Sequence, residues 1–316
     1  MTISSLLAEA LWPTAGFSLT WRKLLYRQLC KGDKTPDFQF STVFFGLKYE
    51  GNLNNNIEAS IFFYGAFEKP LLFFLRDCWN ALQTESNENS KTAFIDIGAN
   101  IGQHSLFMSS LAGQVVAFEP FAEVSNKLKH QISLNRLKNI KLEQTALSDQ
   151  EEMLDFYAPT GRNQGIGSFD ATTTDKGNIA SNKVQVIRGD NYFANRPYSI
   201  KFMKIDVEGF EKKVITGLNE TLISHRPVIV CEVSYGNDIS FADEKDLLAH
   251  LPEDYALLRF DTRNPDGTKA KKRGSQAKRT GFYRIVPITN WRSSGQDDII
   301  AVPVEKKALI PELKAE

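Results

Sequence analysis

Between residues 93 and 233 the apolar positions of this chain alternate between two kinds of block. Short, mostly apolar runs at 93–97, 114–118, 140–147, 200–207 and 228–233 predict strands buried on both faces, as in a parallel sheet. Segments with apolar residues three and four apart lie between them and predict helices over 103–111, 122–136 and 210–224. In the second of these the buried stripe is Val124, Leu128 and Ile132. Such alternation predicts an α/β fold built on a doubly wound, mostly parallel sheet. Two shorter strands, 153–157 and 183–187, flank a Gly-, Ser- and Thr-rich stretch, 161–177, long enough to be a loop over an active site. Further on, 243–250 predicts a helix, and 255–260, 282–287 and 298–302 predict late strands.

Upstream the pattern changes. Residues 1–37 hold two weak helical patterns, 5–11 and 19–29, broken by Pro13 and Gly16. From 38 to 79 the chain is crowded with aromatic residues, expected chiefly in a core. Alternation over 42–49 predicts strands there, and the asparagine-rich 52–56 a turn. The polar run 83–91 (QTESNENSK) reads as a linker. The expected organisation is an aromatic-rich α+β extension over 1–90, a main domain over 91–304 and a charged tail over 305–316.

Composition narrows the class. With 42% hydrophobic and 24% charged residues the chain reads as a soluble globular protein. Basic and acidic residues number 38 each, so no overall charge draws it toward nucleic acid, and none is expected as a partner. Cys30, Cys78 and Cys231 are odd in number and far apart, which argues against a zinc site or a disulfide framework and for a reducing compartment. The first residues lack a basic region followed by an apolar core, and the greasiest window, 61–75, is interrupted by Glu68-Lys69-Pro70. Neither a signal peptide nor a transmembrane segment is expected, and the expected location is the cytoplasm. One segment departs from neutrality: KAKKRGSQAKR, 269–279, is basic throughout, and Gly274-Ser275 predicts a loop. A solvated surface and a site for an anionic acceptor are both open readings of it.

Chemistry concentrates in two stretches. In the first, the run 93–97 leads into Asp96-Ile97-Gly98-Ala99-Asn100-Ile101-Gly102, and the next strand ends in Glu119-Pro120, about 23 residues after Asp96. Gly98 removes a side chain where backbone must meet a ligand, Asn100 tolerates positive φ, and Gly102 lets the helix start close to the strand. An acid at Glu119 can accept both hydroxyls of a ribose. A dinucleotide site would want G-x-G-x-x-G facing a pyrophosphate. Here the pattern is D-x-G-x-x-x-G, and a carboxylate at the strand end suits the α-ammonium of S-adenosylmethionine (SAM) better than a pyrophosphate.

The second stretch, Lys204-Ile205-Asp206-Val207-Glu208-Gly209, ends the fourth strand and falls on the ligand side of a doubly wound sheet. An oxygen acceptor needs its proton removed by a positioned base. Asp206 is the first candidate, with Glu208, Glu232 at the end of the fifth strand, and His104 after the glycine turn as others. The strand end carries no D/N-P-P-Y turn of the kind that holds a planar amine, which favours oxygen. Two acids without a third ligand in a recognisable spacing give no expected metal site.

DIGANIGQHSL, VVAFEP, TALSD, KIDVEGFE and the closing DIIAVP resemble the FkbM family of SAM-dependent methyltransferases, and the lead-in YEGNLNNNIEASIFFYGAFEKP resembles that of many members. The resemblance implies a class I methyltransferase (Rossmann-like) fold and O-methylation, often of sugars. It implies that Asp96, Gly98, Ala99, Asn100, Gly102, Glu119, Pro120 and Ala146 line the cofactor, with Ala146 near adenine, and that Asp206 faces the acceptor. The expected acceptor is a small molecule or glycan. Two other readings stand beside it: an NAD-dependent enzyme on a similar sheet, and a catalytically silent SAM-binding module.

Overall fold

The structure, a computed structural model, describes residues 19–30, 37–83, 92–158, 167, 169, 179–236, 240–264, 268 and 270–313. These divide into two compact units that part between Phe67 and Glu68.

The first unit holds helix α1 (Leu19–Leu29), strands β1 (Gln39–Phe44) and β2 (Leu47–Asn52), and helix α2 (Asn56–Tyr64). The strands form an antiparallel hairpin whose two-residue turn, Phe45-Gly46, has positive φ at both positions, 46° and 88°. The asparagine cluster does make a turn, and it also starts a helix: the Asn55 side chain accepts the N–H groups of Ile57 and Glu58. Phe44, Tyr49 and Phe63 are buried, as expected of core aromatics. Helix α2 was not legible because its residues are apolar on nearly every side, so no period emerges.

The second unit begins with α3 (Lys69–Gln83), which lies before the expected domain boundary at residue 90, then β3 (Thr92–Ile97), α4 (Gln103–Met108), β4 (Gln114–Phe118), α5 (Ala122–Asn135) and β5 (Ile140–Glu143). Next come β6 (Ala146–Ser148), β7 (Glu152–Ala158), β8 (Ile179–Arg188), α6 (Gly189–Phe193), β9 (Ser199–Ile205), α7 (Glu211–Gly217) and α8 (Asn219–His225). The remainder is β10 (Val228–Tyr235), α9 (Glu244–Ala249), β11 (Tyr255–Phe260), α10 (Lys271–Thr280), β12 (Ile285–Pro287) and β13 (Gly295–Pro303).

Eight strands form one sheet in the order β12-β11-β13-β10-β9-β3-β4-β5. The stretch from β10 to β5 is parallel throughout, and β13 inserts antiparallel between β10 and β11. The expected doubly wound, mostly parallel sheet is therefore what forms. Every residue of β3 is buried, which is why its sequence is apolar apart from Thr92 and Asp96. The chain goes from β3 to β4 and β5 on one side, then returns to place β9 and β10 on the other. That reversal beside β3 is the switch point where ligands bind at strand carboxyl ends.

Several expectations need correction. The single strand over 140–147 is two: β5 ends at Glu143, and β6 pairs instead with β8 in a separate three-stranded sheet with β7. The helix over 210–224 is broken at Leu218. Gly217 sits so close to the Ser148 backbone that an added Cβ would lie 1.9 Å from its carbonyl oxygen, and the chain turns there to keep both helices against the sheet. From Lys271 onward the basic segment is not the expected loop: α10 is a helix without a buried residue, stopped by Gly281 at φ 72°. Lys278 and Arg279 in its last turn complement the helix dipole, whereas Lys271, Lys272 and Arg273 in its first turn oppose it. The expected loop over 161–177 falls, apart from residues 167 and 169, outside the described residues. Among those described, no helix is long and apolar enough to cross a membrane.

Candidate active site

The turn after β3 is fixed by backbone. Gly98 and Ala99 both donate to the Phe118 carbonyl at the end of β4, at 3.0 and 2.9 Å, and Asp206 N–H donates to Ile97 at 3.0 Å. Gly98, Asn100 and Gly102 all have positive φ. A Cβ on Gly98 would stand 1.8 Å from the Asp206 carbonyl oxygen, so glycine there is what lets β3 and β9 bring their carboxyl ends together.

Glu119 spans this turn and the next helix: Oε2 accepts Asn100 N–H at 2.9 Å and Oε1 accepts Phe121 N–H at 2.9 Å. Burial pushes it up to about 7, against those two bonds and with help from Asp96 and Asp206. Asp96 is fully buried. Its Oδ2 accepts the Ser105 hydroxyl at 2.6 Å, while Oδ1 is buried without a hydrogen-bond partner. Burial raises it, opposed chiefly by Lys204. Ala99 and Ala146 are buried, the latter held in β6 opposite Val186, and Pro120 is half-buried beside Glu119.

At the end of β9 the Lys204 ammonium, 2% exposed, lies 2.8 Å from Asp206 Oδ2. Burial alone would lower its pKa, but Asp206, Asp96 and Glu68 together raise it, so it stays charged. The loop that follows is latched by Glu211, whose carboxylate accepts Val207 and Gly209 N–H groups at 3.0 Å each, leaving Glu208 at φ 51°. Oxygens of Asp206, Glu208 and Glu232 all come within 4.8 Å of one another, a spacing that could hold a divalent cation as well as a proton. Sequence spacing alone gave no third acid for such a set. Burial, then Asp206 and Glu208, pushes Glu232 up to about 11, and Gln296 donates to its Oε2 at 3.1 Å.

His104 is 7% exposed, and its Nε2 has no hydrogen-bond partner; Glu68 Oε2 is 3.8 Å away. Burial and Lys204 lower its pKa well below the usual histidine value, so it is neutral near pH 7. Glu68 and Asp298 are acids that the sequence did not point to. Glu68 keeps 39% of its side-chain surface because it faces a cavity, yet protein surrounds it, and this enclosure together with Asp298 pushes it up to about 8. Asp298 is opposite Glu232 on antiparallel β13 and rises to about 6, mainly by burial with Lys204 opposing. Neither has a local signal. Lys204 does: a cation inside an apolar strand run requires a carboxylate partner.

These residues suit SAM. The Gly98 cradle has no room for a side chain, Glu119 keeps a second lone pair on each oxygen for ribose hydroxyls, and the buried Asp96 Oδ1 lacks a donor. The surplus of carboxylates around one lysine favours a cationic cofactor over a pyrophosphate.

Comparison with known proteins agrees. The family model of the methyltransferase FkbM domain matches residues 96–256, just over half of the chain. Methyltransferase 1 of Beauveria bassiana (strain ARSEF 2860) is 27% identical over 194 residues, which cover 54% of this chain and 76% of that protein. A solved methyltransferase FkbM from Methylobacillus flagellatus KT is 16% identical with a TM-score of 0.39; the match covers 57% of this chain and 42%, less than half, of that one. A SAM-dependent methyltransferase from Agrobacterium tumefaciens is 8% identical with a TM-score of 0.41, covering 86% and 72% of the two chains. With D-x-G-x-x-x-G, the strand-end Glu119 and the Lys204–Glu208 stretch all inside the matched residues, the chain belongs to the FkbM family of SAM-dependent methyltransferases.

Proposed function

We propose that this methyltransferase acts on oxygen, transferring a methyl group to a hydroxyl of a sugar, glycan or related metabolite. The observation that carries the reading is the convergence of Asp206 and Glu208, just past β9, with Glu232, which lies inside β10 rather than at its end as expected, next to the Gly98 turn. Bound SAM supplies an electrophilic methyl group on a positively charged sulfur. Glu119 accepts the ribose hydroxyls, and Asn100, Gly98 and Gly102 shape the turn beneath.

Lys204 fixes Oδ2 of Asp206, and the proton of the acceptor hydroxyl passes to Oδ1. Glu232, pushed up to about 11, carries its proton at neutral pH and donates to the acceptor oxygen, holding it in line. Charge balances: as the cofactor loses its positive charge, the acid cluster gains the proton released from the hydroxyl. Partly exposed Asp206 then returns that proton to water.

The test is incubation with methyl-labelled SAM and separated cell glycans, lipids, nucleic acids and small metabolites, with Asp206→Asn alongside. Label in alkali-stable ethers of a hydroxylated fraction, lost in the variant, is expected. Label on nitrogen or on nucleic acid overturns the reading.

A further inference from the structure

Two cavities lie in the second unit, and the one nearer the acid cluster carries two acids that couple to it, Glu68 and Asp298. The inner one, about 410 Å³, is lined by Glu68, Asp297, Asp298 and Gln296 together with Phe260 and Gly274. The outer one, about 600 Å³, shares Pro70, Phe260, Thr262 and Gly274 with it, so the two run on as one cleft.

Their linings differ. The inner chamber presents carboxyl and amide groups together with the cations Arg263 and Lys271, and two of its acids couple to the reaction centre: Glu68 feels Lys204, Asp206 and Glu208, and Asp298 feels Lys204 and Asp206. The outer chamber is walled by Ala277, Phe282, Ile285, Val286, Pro287 and Leu313. Its Asp261 and Arg273 neutralise each other at 2.6 Å. Phe282 and Leu313 on that wall are exposed, keeping 44% and 53% of their surface.

Gly274 adds an independent sign. It sits in the middle of α10, where glycine is a poor helix residue, its backbone is not in the left-handed region, and an added Cβ would meet nothing within 4 Å. Packing within the protein gives no reason for glycine there. Yet position 274 lines both chambers, so a bulky side chain there can reach into them, whereas an alanine methyl meets nothing within 4 Å.

Resting on the methyltransferase reading, we infer that this cleft is the acceptor site and that it takes an amphipathic acceptor. The hydroxylated head, of sugar type, lies in the inner chamber with hydroxyls donated to Glu68 and Asp298. An apolar body attached to that head fills the outer chamber. A free sugar leaves the outer chamber wet and binds weakly; an apolar molecule without hydroxyls leaves the inner carboxyls without donors.

The experiment uses the full chain and two probes with one head: hexyl β-glucoside and methyl β-glucoside. SAM affinity of the wild type is measured first and tests the methyltransferase reading by itself; its absence would remove both claims. Binding of each glucoside is then measured by titration in the presence of S-adenosylhomocysteine, without relying on turnover. The hexyl compound is expected to bind at least about tenfold more tightly. Gly274→Trp should abolish that advantage with SAM affinity unchanged, while Gly274→Ala should keep it. Equal binding of the two glucosides, binding of neither, or an advantage that survives Gly274→Trp would each overturn the inference.

Discussion

Replacing Glu119 by glutamine should weaken SAM binding and erase a pH dependence that the wild type shows. Each oxygen of this carboxylate already accepts one backbone N–H at 2.9 Å, from Asn100 and from Phe121. Glutamine keeps one acceptor oxygen, but its amide nitrogen must then face the other N–H, and ribose hydroxyls lose a charged partner. Weakening two charge-assisted bonds costs on the order of 2–4 kcal/mol, or about 30- to 700-fold in Kd. Burial, opposed by those backbone bonds and aided by Asp96 and Asp206, brings wild-type Glu119 to about 7.

SAM affinity of the wild type should therefore rise as pH climbs through about 7, while Glu119→Gln does not follow. Stability of the ligand-free protein runs the other way. From 4.5 to about 7 the folded state holds more of this proton than the unfolded state does, so the contribution of Glu119 is full below that window and falls as pH rises through it. Calorimetric titration of both proteins across that range is the assay, and their affinity ratio cancels titration of SAM's own amine. A ratio near one, or one indifferent to pH, refutes Glu119 as the ribose acceptor.

Asp206→Asn should slow transfer at least about a hundredfold while SAM still binds. It also takes the nearest carboxylate, at 2.8 Å, from a lysine that is 2% exposed and leaves it Asp96 and Glu68, so stability should fall, and Lys204→Met/Asp206→Asn should not recover rate. Wild-type turnover in either variant would exclude Asp206 as the base. Gly98→Ala should destabilise more than Gly102→Ala, because its Cβ meets backbone oxygen at 1.8 Å whereas the other meets the movable Leu128 side chain at 2.2 Å. The reverse order in urea denaturation would contradict the picture of that turn. Transfer should survive chelation by EDTA, since protons satisfy the acid cluster. Activity lost to EDTA and restored by magnesium would instead assign Asp206, Glu208 and Glu232, all within 4.8 Å, to a cation.

The chain's local code carried the parallel sheet and the turn that follows β3. Buried strands read as apolar runs, and the turn at 98–102 needs glycine and asparagine whatever surrounds it, because positive φ is a property of single residues. Both signals lie within a few residues of chain. Strand order does not. Asp298 joins Glu232 only because β13 enters antiparallel beside β10, and Glu68, far upstream of Asp96, joins Lys204 only through packing ahead of α3. The basic segment offered two readings in sequence, a solvated surface or an acceptor site, and only the fold shows Lys271 and Gly274 lining a cleft. Residue types and turns were decided by the sequence alone; which carboxylates share one lysine was decided by the tertiary fold, since electrostatic coupling depends on distance in space rather than along the chain.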